Sequence, residues 1–119
     1  MDNVIGTLPS ARMSPRIING VIKWYEGDTF GLQVDIDLTD ENGDAVAIQP
    51  EDTVQFVFRN NRGETVHNVV AANIENNSVL LDFGAAESAK FPKGVYEYDC
   101  YYNGAERKTL AHEAPIVVE

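Results

Sequence analysis

Cysteine, long apolar runs and basic residues are all scarce in this chain, and each scarcity excludes a class of protein. The single cysteine, Cys100, cannot form a disulfide within the chain, so nothing here requires an oxidising compartment. No run of about 18 apolar residues is present, so we expect no membrane-spanning segment. The opening residues, MDNVIGTLPSARMSP, contain neither a basic leader nor an apolar stretch, and no secretory signal is predicted. We therefore expect a soluble protein made in a cytoplasm.

The scarcity of basic residues argues against nucleic acid as a partner. Nine Lys and Arg stand against nineteen Asp and Glu, for a formal net charge of −10. Binding to a phosphate backbone depends on Lys and Arg that displace counterions, and a field of this sign repels it. The acidity is spread over both halves of the chain, which is typical of a solvated surface and not of an acidic tail.

What the sequence does contain is alternation. From Phe30 to Leu38 every second residue is large and apolar, which is the pattern of a half-buried strand. Similar segments recur between turn signals such as Asn42-Gly43 and Asn103-Gly104, and no long helical pattern occurs. The chain of 119 residues fits one domain. We predict an all-β fold, an antiparallel β-sandwich of seven to nine strands with Greek-key connections.

The predicted elements can be placed along the chain. The predicted strands are Val21–Tyr25, Phe30–Leu38, Ala45–Ile48, Val54–Phe58, Glu64–Val70, Val79–Phe83, Gly94–Tyr102, Arg107–Ala111 and, beyond Pro115, Ile116–Val118. Ala85–Lys90 alone has helical propensity and predicts at most one or two turns. The predicted core consists of Trp24, Leu32, Val34, Ile36, Phe56, Phe58, Leu81, Tyr96 and Tyr98.

Residues 1–19 differ from the rest, and we predict an irregular N-terminal arm followed by a β-sandwich domain at 20–119. The arm contains prolines and scattered apolar residues without a period that would lay them on their own domain. Such a segment is either disordered or packed on another subunit. We therefore predict that Val4, Ile5, Leu8 and Met13 are assembly contacts with other protein subunits, including a homo-oligomer through the arm.

No residue pattern supports catalysis, a cofactor or a metal, and we predict that the chain is not an enzyme. Cys100 lies in the middle of a predicted strand without a base beside it, and we expect an inert core thiol. His67 and His112 lie on separate strands without the spacing of a zinc site. Asp40–Asp44 places Gly43 at the wrong position for a calcium loop, so we predict a hairpin turn.

Two pairs of acidic residues need an explanation. Asp35 and Asp37 share the outer face of one predicted strand, and Glu97 and Asp99 share the outer face of another. Facing like charges would destabilise neighbouring strands. A basic side chain (Lys23, Arg107 or Lys108) intervenes, or a cation binds, or the two strands lie in different sheets. We favour the last of these.

The tyrosines allow a second function. Sugars stack on exposed aromatic rings, but Tyr96, Tyr98 and Tyr102 alternate with Cys100 on the predicted core face. Tyr25 and Tyr101 remain as predicted exposed rings. Their exposure in one concave patch would favour a ligand-binding or adhesive β-sandwich that recognises a surface carbohydrate or peptide.

Residues 94–100 carry a resemblance. The stretch Gly94-Val95-Tyr96-Glu97-Tyr98-Asp99-Cys100 resembles the Tyr-x-Cys strand of immunoglobulin domains, but the partner cysteine is missing. The chain is more similar to the small immunoglobulin-like domains of bacteriophage structural proteins, such as the N-terminal domain of baseplate upper proteins and related tail or head-fibre modules. The resemblance covers roughly residues 22–118. It rests on Gly27-Asp28-Thr29-Phe30, Asn42-Gly43, Pro92, Gly94, Tyr96, Tyr98, Asp99, Gly104, Thr109, Leu110 and Val117.

The resemblance departs at Glu113-Ala114, where a glycine is more usual, and has no counterpart for the arm. It implies an immunoglobulin-like fold, synthesis in a bacterial cytoplasm and a place in a virion. Fold alone does not fix function. Our leading hypothesis is a non-enzymatic assembly module of a phage or prophage particle, and the ligand-binding sandwich is the alternative.

Overall fold

The alternating segments form strands, and a computed structural model describes them over residues 15–18, 20–71, 74–75, 77–104 and 106–119. The strands are β1 (Arg16–Ile18), β2 (Val21–Trp24), β3 (Phe30–Asp35), β4 (Thr53–Asn60), β5 (Thr65–Ala71), β6 (Ser78–Phe83), β7 (Gly94–Asn103) and β8 (Arg107–Val118). The helix α1 (Ala85–Ser88) lies between β6 and β7, where helical propensity predicted a short helix. The predicted all-β class is confirmed.

The strands form two sheets. The larger has six strands in the order β1-β2-β8-β7-β4-β5, and the smaller pairs β3 with β6 antiparallel. The prediction of purely antiparallel sheets is wrong at one place, because β2 runs parallel to β8 from Ile22 opposite Ile116 to Trp24 opposite Val118. These strands come from the two ends of the described chain and are not joined by a hairpin, so no turn imposes an antiparallel pairing on them.

The core lies between the sheets and is rich in aromatic rings. Seven of the nine predicted core residues are buried, and Val34 and Tyr98 are half-buried against them. The Trp24 ring lies 5.1 Å from Phe30, 5.5 Å from Phe83 and 5.4 Å from Phe91, measured between centroids. Phe91 is fully buried although it belongs to no strand, and alternation could not predict it. The buried hydroxyl of Ser88 in α1 donates to the carbonyl of Asp28.

The predicted strand at Ala45–Ile48 is wrong. Only an isolated bridge pairs Ala45 with Thr39. The segment is held instead by the side-chain amide of Asn77, which donates to the Val46 carbonyl at 3.1 Å and accepts from the Ile48 N–H at 3.2 Å. Asn77 has φ 56°, a conformation that asparagine tolerates better than most residues. The Asn77 side chain therefore makes hydrogen bonds to this segment that the backbone of a neighbouring strand would otherwise make.

Three predicted boundaries also move. Arg16–Ile18, assigned to the irregular arm, pairs antiparallel with β2, so regular structure begins before residue 20. β3 ends at Asp35 and not at Leu38. Pro115 does not separate a last strand, because β8 is continuous through it. Pairing between β2 and β8 starts only at Ile116, so Pro115 occupies a position where β8 has no partner on that side and the missing N–H costs no ladder bond.

Candidate functional site

Charged groups are concentrated on the outer face of the larger sheet, around Asp99. This residue lies on β7, on the face opposite Cys100 as predicted, yet it is only 1% exposed. Its carboxylate accepts hydrogen bonds from the Arg59 guanidinium on β4, from the Tyr101 hydroxyl at 2.9 Å and from the Glu113 N–H at 2.7 Å. His112 Nδ1 lies 3.2 Å from the same carboxylate. Long neighbouring side chains therefore bury an outward-facing acid.

The donors around Asp99 decide its protonation. Burial acts to raise the pKa of the carboxyl, but the Glu113 N–H, Arg59 and the Tyr101 hydroxyl outweigh it and lower the pKa to about 2. The hydrogen bond to Asp99 raises the pKa of Arg59 in turn. Asp99 is thus held as a carboxylate, with its acceptor oxygens occupied by protein donors.

We call Asp99 and its partners Arg59, Tyr101, His112 and Glu113 the Asp99 cluster. This cluster stabilises an irregularity in the pairing of β7 with β8. Tyr98 pairs with Ala114 and Cys100 pairs with Ala111, so one residue of β7 faces two residues of β8. That arrangement is a β-bulge, and Glu113 within it has φ 50°. The Asp99 side chain takes up the Glu113 N–H that the bulge removes from the ladder. The cluster therefore has a structural role, and the sequence signal that could have shown it is an acid directly beside the core position Cys100.

The favoured alternative is confirmed for Asp35, whereas Asp37 lies beyond the end of β3 and belongs to no strand. Asp35 is on β3 in the smaller sheet, whereas Glu97 and Asp99 are on β7 in the larger sheet. The cation that accompanies Glu97 and Asp99 is Arg59, which sequence reasoning did not consider. Arg59 pairs in register with Glu97 across the strands.

Cys100 lies in the core, as predicted. It is 3% exposed, and burial raises the pKa of its thiol to about 12. A thiolate is the reactive form of cysteine, so an upward shift of this size suppresses reaction at neutral pH.

The two histidines lie in different environments. His67 on β5 packs 6.0 Å from the Phe83 ring and 5.7 Å from the Phe58 ring, and burial followed by the nearby Lys90 lowers its pKa. His112 is exposed on β8 beside Asp99 and Glu113. Among the described residues, no three His, Cys, Asp or Glu side chains are grouped so that they could hold a metal ion.

The acidic segment at Asp40–Asp44 forms a turn, as predicted. Asp40 Oδ1 accepts the N–H groups of Asn42 at 2.8 Å and Asp44 at 3.0 Å, and Gly43 has φ 83°. An aspartate that binds the backbone just after it is typical of an Asx turn.

Tyr25 and Tyr101, which were predicted to be exposed, do not form an open surface on which a sugar could stack. Tyr25 and Tyr101 are both half-buried. The Arg107 guanidinium covers the Tyr101 ring at 4.1 Å, and the Tyr101 hydroxyl is bound to Asp99. Tyr102 donates its hydroxyl proton to the buried Asp52, a bond that raises the pKa of Tyr102 to about 12.

Two exposed apolar side chains lie together beside β5, an edge strand of the larger sheet. Three large apolar side chains are exposed among the described residues, and two of them, Val70 on β5 (59%) and Leu80 on β6 (61%), line one cleft of about 210 Å³. The remaining lining is His67, Val69, Ala71, Leu81, Asp82 and Phe83. We call this space the β5–β6 cleft. It lies between an edge strand of the larger sheet and a strand of the smaller sheet.

The predicted assembly contacts Val4, Ile5, Leu8 and Met13 lie outside the described residues, so their contacts remain a prediction. No helix in the described part of the chain is long and apolar enough to cross a bilayer. No family model, no curated protein and no solved structure matches the chain.

Proposed function

We propose that this chain is a non-enzymatic assembly module of a phage or prophage particle, a tail, baseplate or head-fibre component with an immunoglobulin-like sandwich body. In this proposal the N-terminal arm joins one copy to the next through Val4, Ile5 and Leu8, with Met13 nearer the body. The finished protein is then part of a virion.

The observation that carries the proposal is where the positions of the phage resemblance lie in the fold. Gly27 and Gly43 have φ of 85° and 83°, a left-handed conformation that favours glycine, and both occupy turns. Tyr96 and Tyr98 lie on β7, the strand that pairs with both β4 and β8. The resembling residues thus occupy positions that determine a two-sheet β fold. This supports a shared architecture for the body.

Two sets of apolar side chains support the assembly role. One set is exposed on the body, and the other belongs to the arm, whose sequence shows no period. Val70 and Leu80 are exposed at one cleft, where they give a partner apolar surface to cover. Burying three side chains such as Val4, Ile5 and Leu8 contributes roughly 1.5–3 kcal/mol each before ordering entropy is subtracted. That is enough for a modest interface between identical subunits.

Sedimentation of full-length variants tests the assembly role. Residues 16–18 belong to β1, so a deletion that includes them would disturb the sheet, and substitutions are the cleaner change. We expect the wild type to self-associate and the variant Val4→Lys/Ile5→Lys/Leu8→Lys to sediment as a monomer. The control Ser10→Lys/Ala11→Lys/Ser14→Lys adds the same charge while leaving residues 3–8 unchanged, and it should associate like the wild type.

Two results would contradict this proposal. A wild type that stays monomeric at the highest attainable concentration excludes self-association through the arm. Equal loss of association in both triple variants means that charge, and not apolar contact, is responsible. The phage origin has its own test, since terminase, portal or tail genes beside the coding sequence support it and a bacterial housekeeping operon contradicts it.

A further inference from the structure

The β5–β6 cleft is bounded by strands with unused backbone groups. Among the described residues, β5 pairs only with β4, and β6 pairs only with β3. Each strand therefore presents one edge on which backbone N–H and C=O groups have no ladder partner, except at Ser78 of β6, whose N–H and C=O are bonded to Glu75. An exposed edge of this kind is a template for a further strand.

The side chains along the cleft are suited to a strand and not to a small polar ligand. On β6, Leu81 and Phe83 face the core while Leu80 and Asp82 face outward, because successive side chains alternate. A strand laid along β6 would place alternate side chains against Leu81 and Phe83 on its inner side and against Leu80 on its outer side. The inner side would be apolar, and the outer side would be apolar at Leu80 and acidic at Asp82, so the occupant should carry apolar residues on both of its faces and no acidic side chain.

We propose that the occupant is residues 3–8 of a second copy, which add to the β6 edge as an extra strand. This inference rests on the proposed assembly function and names the surface that receives the arm. The segment is Asn-Val-Ile-Gly-Thr-Leu, six residues long like β6, uncharged and free of proline until Pro9. In an extended strand Val4 and Leu8 share one face and Ile5 lies on the other, which is the two-sided apolar pattern that the cleft requires.

Charge favours the arm over any other part of a second copy. Residues 15–119 contain eighteen Asp and Glu and eight Lys and Arg, a net charge of −10. The body of one copy therefore repels the body of another. Residues 1–14 contain only Asp2 and Arg12, so their side chains sum to zero. The arm can approach an acidic neighbour without that repulsion.

The topology separates the arm from the cleft of its own chain along the larger sheet. The arm leads into β1, and β5 is the opposite edge strand of the same sheet, with four strands between them. A second copy can bring its arm to the cleft without that crossing. Reciprocal exchange between two copies then gives a closed dimer, in which each arm occupies the partner's cleft.

Full-length chains carrying substitutions in the cleft provide the test. Val70→Lys/Leu80→Lys places charge in the cleft at exposed positions, and Val95→Lys changes the third exposed apolar residue, which is 57% exposed and does not line the cleft. We expect the cleft variant to sediment as a monomer with at least a tenfold weaker association, and the Val95→Lys variant to associate like the wild type. Circular dichroism should show both to be folded, since all three positions face solvent.

A cross-link identifies the occupant. Cys100 is buried and its thiol pKa is raised to about 12, so engineered cysteines react without interference from it. Leu8→Cys chains mixed with Leu80→Cys chains of distinguishable mass should form a disulfide-linked heterodimer under mild oxidation. Leu8→Cys with Val95→Cys should not.

The outcomes separate this inference from the proposed function. If the arm variant loses association but the cleft variant keeps it, the arm binds elsewhere and only the cleft assignment is overturned. If the double variant Leu8→Cys/Leu80→Cys forms an internal disulfide as a monomer, the arm covers its own cleft and the second copy is excluded. If the wild type is monomeric, both proposals fail together.

Discussion

The Asp99 cluster and the β5–β6 cleft differ in what they bury and what they expose, because the first buries a charged group and the second exposes apolar side chains. Around Asp99, on the central strand β7, an acid is buried and its carboxylate accepts hydrogen bonds from Arg59, Tyr101 and Glu113. At the cleft, on outer strands, apolar Val70 and Leu80 face solvent beside free strand edges. The Asp99 carboxylate has its hydrogen-bond donors within the chain, whereas the apolar side chains at the cleft are left uncovered by the described residues. Buried polar groups in native proteins normally have hydrogen-bond partners, and the carboxylate of Asp99 follows that rule.

Removing the buried acid should give the largest effect. We expect Asp99→Ala to lower the free energy of unfolding by about 3 kcal/mol, because Arg59 and the Glu113 N–H lose their acceptor in a covered position. Urea denaturation at pH 7 measures the change. Glu97→Ala is the matched control, since Glu97 lies on the same strand and 3.9 Å from Arg59 but is 34% exposed, and it should cost about 0.5 kcal/mol. Equal costs at the two positions would mean that burial of Asp99 does not matter.

The same carboxylate should make stability depend on pH. The pKa of Asp99 is lowered to about 2 in the folded protein from an ordinary value of 3.8. The stabilisation is therefore present above pH 3.8, where both states are ionised, and is lost as the pH falls toward 2 because the unfolded chain takes up the proton first. We expect the loss to be about 2 kcal/mol between pH 5 and pH 2. Comparing denaturation of the wild type and Asp99→Asn across that range isolates this acid, and parallel curves would assign the pH dependence to other carboxyls.

These two regions also mark what the sequence could and could not predict. Alternation along β3, β4 and β6 correctly assigned Leu32, Phe56 and Leu81 to the core, because a period of two is a local property. The burial of Asp99 and the pairing of β2 with β8 depend on which strands become neighbours. Residues far apart in the chain decide that, and no local pattern contains it. The burial of Phe91 could not be predicted for the same reason, since this residue packs into the core from a loop.

The cleft could be predicted only in part. The apolar character of Val70 and Leu80 is visible in the sequence, and alternation along β6 puts Leu80 on the face opposite Leu81, but β5 lacks strict alternation, so Val70 could not be assigned to a face. That the two lie at one cleft follows from the way β5 ends the larger sheet beside β6 of the smaller sheet. The arm was predicted from the opposite signal, apolar residues with no period at all. The inference that the arm binds at the cleft required the order of the strands in the sheets, which the sequence does not contain.

The smallest effect should come from the exposed side of β6, and it tests the register on which the cleft depends. Leu80 is 61% exposed and Leu81 is 4% exposed, although they are adjacent on one strand. At concentrations where the protein is monomeric, we expect Leu80→Ala to change the free energy of unfolding by less than about 0.5 kcal/mol, as surface substitutions do. Leu81→Ala removes the same atoms from the core and should cost about 2–5 kcal/mol. Because a shift of one residue would exchange the two faces, the reverse order would show that β6 pairs with β3 in the other register. Leu80 would then be a core residue, and the β5–β6 cleft would lose the exposed apolar surface from which an added strand is inferred.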